Sequence, residues 1–356
     1  MKKHRKPVNL KAVLSLILTA ATLLTLLAGC TEKPAETQAP QETTLPKQEE
    51  IKEVDRNGDT ALKILMVGNS FCSYYMEELY ELLMENPPEG INSVEIYRVY
   101  YSGCTLSQHY LWWQQNAAKY DFTRVTANGR EKMTEHDAWS LEQTLAWADW
   151  DYISLQGTVT DGSYMNQQKR EITRSNIEAA AEPLLDRFHE LHPNAQLLWH
   201  RTWFFEIGRV GSNGYVYTAE DGPKYDEGMQ QICDYMTEEF DKDKPYDLIQ
   251  VNTGAAWTQA RVLNETAGLL PYGGLCARLD VNKFGNMSPH SGDGYHDGDI
   301  GGGQLLNAYV WYMTITGDTD LSDSTYAPVY QYVTLEYPIS EDMINMLKTA
   351  AMSVMK

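Results

Sequence analysis

Two kinds of hydrophobic pattern divide this chain. Ala12 to Gly29 is apolar almost throughout and follows the basic residues Lys2, Lys3, Arg5 and Lys6. From Leu62 onward, short apolar runs alternate with segments of helical spacing. Leu62–Val67, LKILMV, predicts a strand; SYYMEELYELLME, with Met76, Leu79, Tyr80 and Leu83 on one side, predicts the helix after it. Further strands are predicted at Val94–Tyr101, Trp150–Leu155, 195–203 and Tyr246–Asn252. Ile177, Ala180, Ala181, Leu184, Leu185, Phe188 and Leu191 mark one face of a helix in which Pro183 is expected to bend or restart the chain. Helices are also predicted over Tyr225–Phe240, Ala255–Asn264, Leu305–Ile315 and Met343–Met355. Ser140 with Gln143 three residues on reads as a capping box, Ser340 as a cap, and Gly317 as a helix stop. Asn128-Gly129, inside Tyr120–Thr134, signals a hairpin.

Apolar strands alternating with helices predict a parallel sheet buried on both faces. The expected fold class is α/β: a three-layer α/β/α domain with a central parallel five-stranded sheet, flavodoxin-like, over 61–356, with a small insertion near 120–137. No internal repeat is visible.

Composition changes the picture at the N-terminus. The apolar run stops at Leu27-Ala28-Gly29-Cys30, small residues and then a cysteine. This looks like a bacterial lipoprotein signal, residues 1–29, with Cys30 as the lipidated residue. Thr31 to Thr60 is rich in Pro, Thr, Glu and Gln and poor in core-forming residues, which predicts a flexible tether over 30–60. The expectation is an extracytoplasmic protein held to a membrane by lipid. The net charge of −20 argues against binding nucleic acid or an anionic membrane surface through charge. Apart from Cys30, four cysteines remain, Cys72, Cys104, Cys233 and Cys276, without metal-type CxxC spacing. Export permits disulfides among them, and buried thiols are an equal possibility. No metal and no cofactor is expected.

The candidate chemistry lies at the strand ends. The first strand runs directly into Gly68-Asn69-Ser70, the second ends near Gly103, and the third ends in Gln156-Gly157. Ser291-Gly292-Asp293-Gly294-Tyr295-His296 stands before the last apolar helix. In a parallel sheet these ends share one rim. Nucleophilic hydrolysis needs a hydroxyl, a base and a carboxylate to orient the base. Ser70, His296 and Asp293 could supply them. The N–H groups of Ser70 and Gly103, with the Gln156 amide, could donate to a developing oxyanion, aided by the partial positive charge of a helix starting just after Ser70. Ser70 could instead be only a helix cap. Asp293, Asp297 and Asp299 could form a calcium loop, although the spacing is not that of an EF-hand. His109, His200 and Trp203 are candidates for lining a substrate cleft, with packing roles as the alternative. Gly68-Asn69-Ser70-Phe71-Cys72 does not complete GxSxG, so an α/β-hydrolase elbow is excluded.

The order of these blocks resembles the SGNH, or GDSL-like, hydrolase superfamily, and the phrases GNSF, SGCTL, WDYISLQ and DGYH are similar to its DUF4886 branch. The resemblance covers about Ala61 to Gly317. It implies Ser70 as nucleophile, Gly103 as oxyanion donor, His296 as base and Asp293 as its partner. Two blocks depart from the family pattern: Gly-Asn-Ser replaces Gly-Asp-Ser, and Leu155-Gln156-Gly157 stands where GxND is expected. The implied activity is a serine esterase acting on ester groups, O-acetyl groups of a polysaccharide above all. The alternatives are a lipase or thioesterase, or a non-catalytic glycan-binding lipoprotein on the same scaffold.

Overall fold

The sheet is wider than five strands. In a computed structural model that describes residues 61–157, 167–210, 214–281, 287–290, 292–332 and 335–355, seven strands form one sheet. They are β1 (Ala61–Gly68), β2 (Ser93–Tyr100), β3 (Asp121–Thr126), β4 (Gly129–Lys132), β5 (Tyr152–Gly157), β6 (Gln196–Arg201) and β7 (Leu248–Val251), in the order β4-β3-β2-β1-β5-β6-β7. β2, β1, β5, β6 and β7 run parallel, which gives the expected five-stranded parallel core. β3 and β4 are the predicted hairpin; it adds two antiparallel strands at the β2 edge. All four residues of β4, GREK, are exposed, and a charged edge discourages further pairing.

The helices are α1 (Met76–Glu85), α2 (Leu106–Gln114), α3 (Leu141–Leu145), α4 (Gln167–Leu191), α5 (Asp221–Tyr235), α6 (Thr253–Ala267), α7 (Gly303–Thr316) and α8 (Glu341–Met352). α1, α6, α7 and α8 pack together, and α2 packs on α3 and α4. Right-handed crossovers account for this division. The chain leaves β1 toward β2 in one direction and then runs through β5, β6 and β7 in the other, so the connecting helices fall on opposite faces. The reversal creates a switch point between the C-terminal ends of β1 and β5, where open α/β sheets place their ligands.

Local signals explain most of the boundaries. Ser140 and Gln143 form a reciprocal capping box on α3, the Ser340 hydroxyl accepts from the Met343 N–H on α8, and Gly317 ends α7 in the left-handed region at φ 72°. Pro183 lies inside α4, which runs on to Leu191, so it does not mark a new start. Its missing N–H frees the carbonyl of Ala179, an exposed position where water can take the bond. Two hairpins outside the main sheet, β8 (Arg278–Val281) with β9 (Met287–His290) and β10 (Val329–Tyr332) with β11 (Leu335–Pro338), had no sequence signal. All described residues belong to the compact unit Glu53–Lys356. Among them no helix is long and apolar enough to cross a membrane. The expected signal segment, Cys30 and tether lie outside the described residues.

Candidate active site

Gly68-Asn69-Ser70 leaves β1 at the switch point, and Asn69 organises it. Asn69 Oδ1 accepts from the Phe71 N–H at 3.1 Å and caps the 3-10 turn Ser70–Cys72. Ser70 caps no helix: Asn69 caps this turn, and the N-cap position of α1 is Tyr75. The same Oδ1 accepts from Gln156 Nε2 at 2.8 Å, the Asn69 N–H donates to Gln156 Oε1 at 3.2 Å, and Asn69 Nδ2 donates to the Cys104 carbonyl at 2.9 Å. One side chain thus ties together the ends of β1 and β5 and the loop after β2. Gly68 permits this approach, because a Cβ there would lie 2.3 Å from Gln156 Oε1. Ser70, the first residue of this turn, is 8% exposed. Among the described residues, no group accepts from the Ser70 or Gly103 N–H.

Two expectations at this end of the sheet need correction. Gln156, considered as an oxyanion donor, is 1% exposed and uses its amide to hold Asn69. A longer arm than asparagine reaches across to β1 instead of out to the rim. Also, no α-helix starts directly after Ser70: α1 begins at Met76, and the charge of a helix end fades within a turn. Any oxyanion stabilisation at Ser70 would come from the N–H groups of the turn.

The Asp293–His296 pair stands on the loop before α7. His296 Nδ1 lies 2.6 Å from Asp293 Oδ2, while Asp293 Oδ1 accepts from the N–H groups of Tyr295 (3.1 Å) and His296 (2.9 Å). Burial alone would raise the Asp293 carboxyl. The hydrogen bonds from the His296 ring and from the two N–H groups outweigh it and hold the group well below the usual carboxylate range. The His296 ring sits against the turn that carries Ser70, with centroids 5.9 Å from Phe71 and 5.3 Å from Tyr74. Its Nε2 is buried and without a hydrogen-bond partner among the described residues. A histidine with a carboxylate on Nδ1 and an unengaged Nε2 can take a proton at that nitrogen.

The loop is mounted backbone to backbone. Gly292 has φ 69°, and a Cβ there would come within 2.0 Å of the Cys276 carbonyl oxygen, so only glycine fits. Side chains hold the loop from beneath, and of these sequence reasoning named only Trp203, as a cleft candidate. Trp203 Nε1 donates to the Tyr295 carbonyl at 2.7 Å, and the Trp203 ring stacks on Trp257 at 4.6 Å. Trp257 Nε1 donates to Asn307 Oδ1 at 2.8 Å, and Asn307 Nδ2 donates to Asp297 Oδ2 at 3.1 Å. Burial pushes the Asp297 carboxyl up to about 7. Asn307 offered a signal, since it is the one amide in the apolar run Leu305–Ile315.

The three proposed cleft residues are all buried. His109, 1% exposed, pairs through Nδ1 with the Tyr120 hydroxyl at 2.9 Å, and burial pulls its ring down to about 4. His200, 0% exposed, pairs through Nε2 with Thr253 Oγ1 at 3.1 Å, and burial pulls it down to about 3. Trp203 is 0% exposed and packs on Phe71 at 5.0 Å. None can meet a substrate from these positions; Trp203 supports both the Ser70 turn and the His296 loop. Cys72, Cys104, Cys233 and Cys276 are buried thiols and form no disulfide. Among the described residues no cluster of three His, Cys, Asp or Glu could hold a metal. Of the calcium-loop candidates, Asp299 accepts instead from the N–H groups of Leu279 and Ile300.

An α/β domain with a mostly parallel sheet, carrying Asn69, Ser70 and an Asp–His pair at its switch point, defines the class. The chain belongs to the DUF4886 family, "Domain of unknown function (DUF4886)", which it matches over residues 63–260. The crystal structure of a DUF4886 family protein from Bacteroides uniformis ATCC 8492 shares its fold, with a TM-score of 0.59 and 20% identity over 83% of this chain and 94% of that one. Two fainter likenesses are a putative GDSL-like lipase from Parabacteroides merdae ATCC 43184 (TM-score 0.40, 16% identity, 73% and 97% covered) and Axe2, an acetylxylan esterase from Geobacillus stearothermophilus (0.39, 15%, 72% and 95%). At those scores neither bears on the chemistry. None of the curated proteins matches the chain.

Proposed function

We propose that the protein is a serine esterase that removes acyl groups, acetyl above all, from a carbohydrate. The observation that carries this reading is the His296 ring, fixed by Asp293 at 2.6 Å with its Nε2 unengaged against the turn of Ser70. Ser70 Oγ attacks the ester carbonyl carbon while His296 Nε2 takes the hydroxyl proton. The oxyanion accepts from the Ser70 and Gly103 N–H groups. The tetrahedral intermediate collapses, His296 returns the proton to the departing alcohol, and an acyl-Ser70 remains. Water then attacks that ester, His296 again relaying the proton, and the carboxylic acid leaves. Asp293, held ionised, keeps the His296 tautomer and stabilises the imidazolium. The protein works outside the cytoplasm, tethered through lipid on Cys30.

The test is turnover of p-nitrophenyl acetate and acetylated oligosaccharides. Ser70→Ala and His296→Ala should each cost about three to six orders of magnitude, and the double variant hardly more, because the pair acts as a unit. Modest, additive losses on a well-hydrolysed ester would mean that no such pair exists. A wild-type protein that binds glycans and turns over no ester would be a binding protein on this scaffold.

A further inference from the structure

We infer that the cavity beside the Asp293–His296 loop is the subsite for the alcohol half of the ester, and that its ligand is a neutral pyranose. This inference rests on the esterase reading and adds where the sugar sits. The cavity measures about 400 Å³, a size ordinary for small-ligand sites, and Glu206, Arg209, Tyr272, Gly274, Asp293 and Gly294 are among its walls.

Three side chains give it a chemistry. Tyr272 is 91% exposed on the rim, on a turn closed by the Gly274 N–H donating to the Pro271 carbonyl at 2.9 Å. An aromatic ring held in water offers a platform for the C–H face of a sugar, with a hydroxyl at its edge. Arg209 has its guanidinium 4.3 Å from the centre of Phe205 and 4.2 Å from that of Tyr295, and its Nε donates to the Asp293 carbonyl at 3.2 Å. No described residue accepts from its Nη atoms, so an edge of donors remains. Glu206 supplies one acceptor, Oε2, since its Oε1 is buried beside Arg261. Its carboxylate lies 3.1 Å from Arg261 and against Gly274, where a Cβ would come within 2.8 Å, and its N–H donates to the Gly294 carbonyl at 2.8 Å.

A donor edge and a carboxylate in one cavity suit hydroxyl groups, each of which donates and accepts. An anionic sugar would meet the Arg209 guanidinium but also Glu206, Asp293 and a net charge of −20, so the cavity offers it no net cationic surface. Arg209 is also bonded to the loop that carries His296, so a sugar seated on it is positioned by the element that presents the base.

The experiment measures binding without turnover. Ser70→Ala protein is titrated calorimetrically with acetylated xylo- and manno-oligosaccharides and with oligogalacturonates of equal length. Neutral oligosaccharides should bind. Adding Tyr272→Ala should weaken them about tenfold, and Arg209→Ala by at least as much. Tyr272 is so exposed that its truncation cannot disturb the core, and Val262→Ala, at a surface position 52% exposed, serves as the unaffected control. Preference for the anionic series, neutral binding indifferent to Tyr272 and Arg209, or no binding by the whole panel would overturn the subsite. Failure of the esterase reading would appear separately, as aryl-acetate turnover that survives Ser70→Ala in the otherwise unaltered protein.

Discussion

Glu78 sits on the inner face of α1, 5% exposed, with Oε2 lacking a hydrogen-bond partner among the described residues. Burial pushes its carboxyl up to about 8. A carboxyl raised on folding contributes stability that is present below its unfolded value, about 4, and is lost as pH rises through the folded one. Glu78→Gln should therefore change little at pH 4–5 and stabilise the protein above pH 8, by on the order of 2–4 kcal/mol. Denaturant unfolding across that range measures it; a pH-independent difference would show that the carboxyl stays charged. Asp293 has the opposite sign. Its carboxyl is depressed, so its contribution is present above about pH 4 and fades only as pH falls further.

Among the elements, the β3–β4 hairpin does more than widen the sheet. Arg130 on β4 donates from Nη2 to the Ser73 carbonyl at 2.8 Å and pairs with Glu77, so the hairpin clamps the chain between Ser70 and α1. From β2, buried Arg98 reaches the Ser73 hydroxyl as well. Arg130→Ala removes a half-exposed ion pair, which is worth about 1 kcal/mol or less. The melting temperature should move by only a few degrees, while amide exchange through Ser70–Glu77 should quicken and ester turnover fall. Unchanged exchange in that segment would leave the hairpin as mere edge protection.

At the scale of the molecule, the layering was readable because each parallel strand holds a short, largely apolar stretch between segments of helical spacing. The Asp293–His296 pair was readable because both partners lie three residues apart on one loop. Whether a histidine is buried is decided by distant packing partners, such as Tyr120 for His109 and Thr253 for His200, and no local pattern reports that. Helix α2, LSQHYLWWQ, buries only Leu106 and His109, so it has no clear apolar stripe to read. Asn69 was legible as a departure from the family pattern, yet its reach to Gln156 and the Cys104 carbonyl follows from tertiary contacts. The proposed tether is a whole-molecule property too. Cys30→Ala should move the protein from the membrane fraction to the soluble exported one; unchanged membrane association would remove the lipid from the account.

The saturation of Asn69 also bears on how this protein ages. Asparagine followed by serine is a sequence at which the amide is readily lost, one reason such residues are thermolabile. Here both ends of the amide are engaged, and an aspartate would set a carboxylate oxygen against the Cys104 carbonyl in place of a donor. Folding thus shields the amide from ring closure and makes its hydrolysis product a poor fit. The rate of damage at this position should scale with the unfolded fraction, so peptide mapping should find Asn69 intact in stored, fully folded protein and lost in partly unfolded samples held as long.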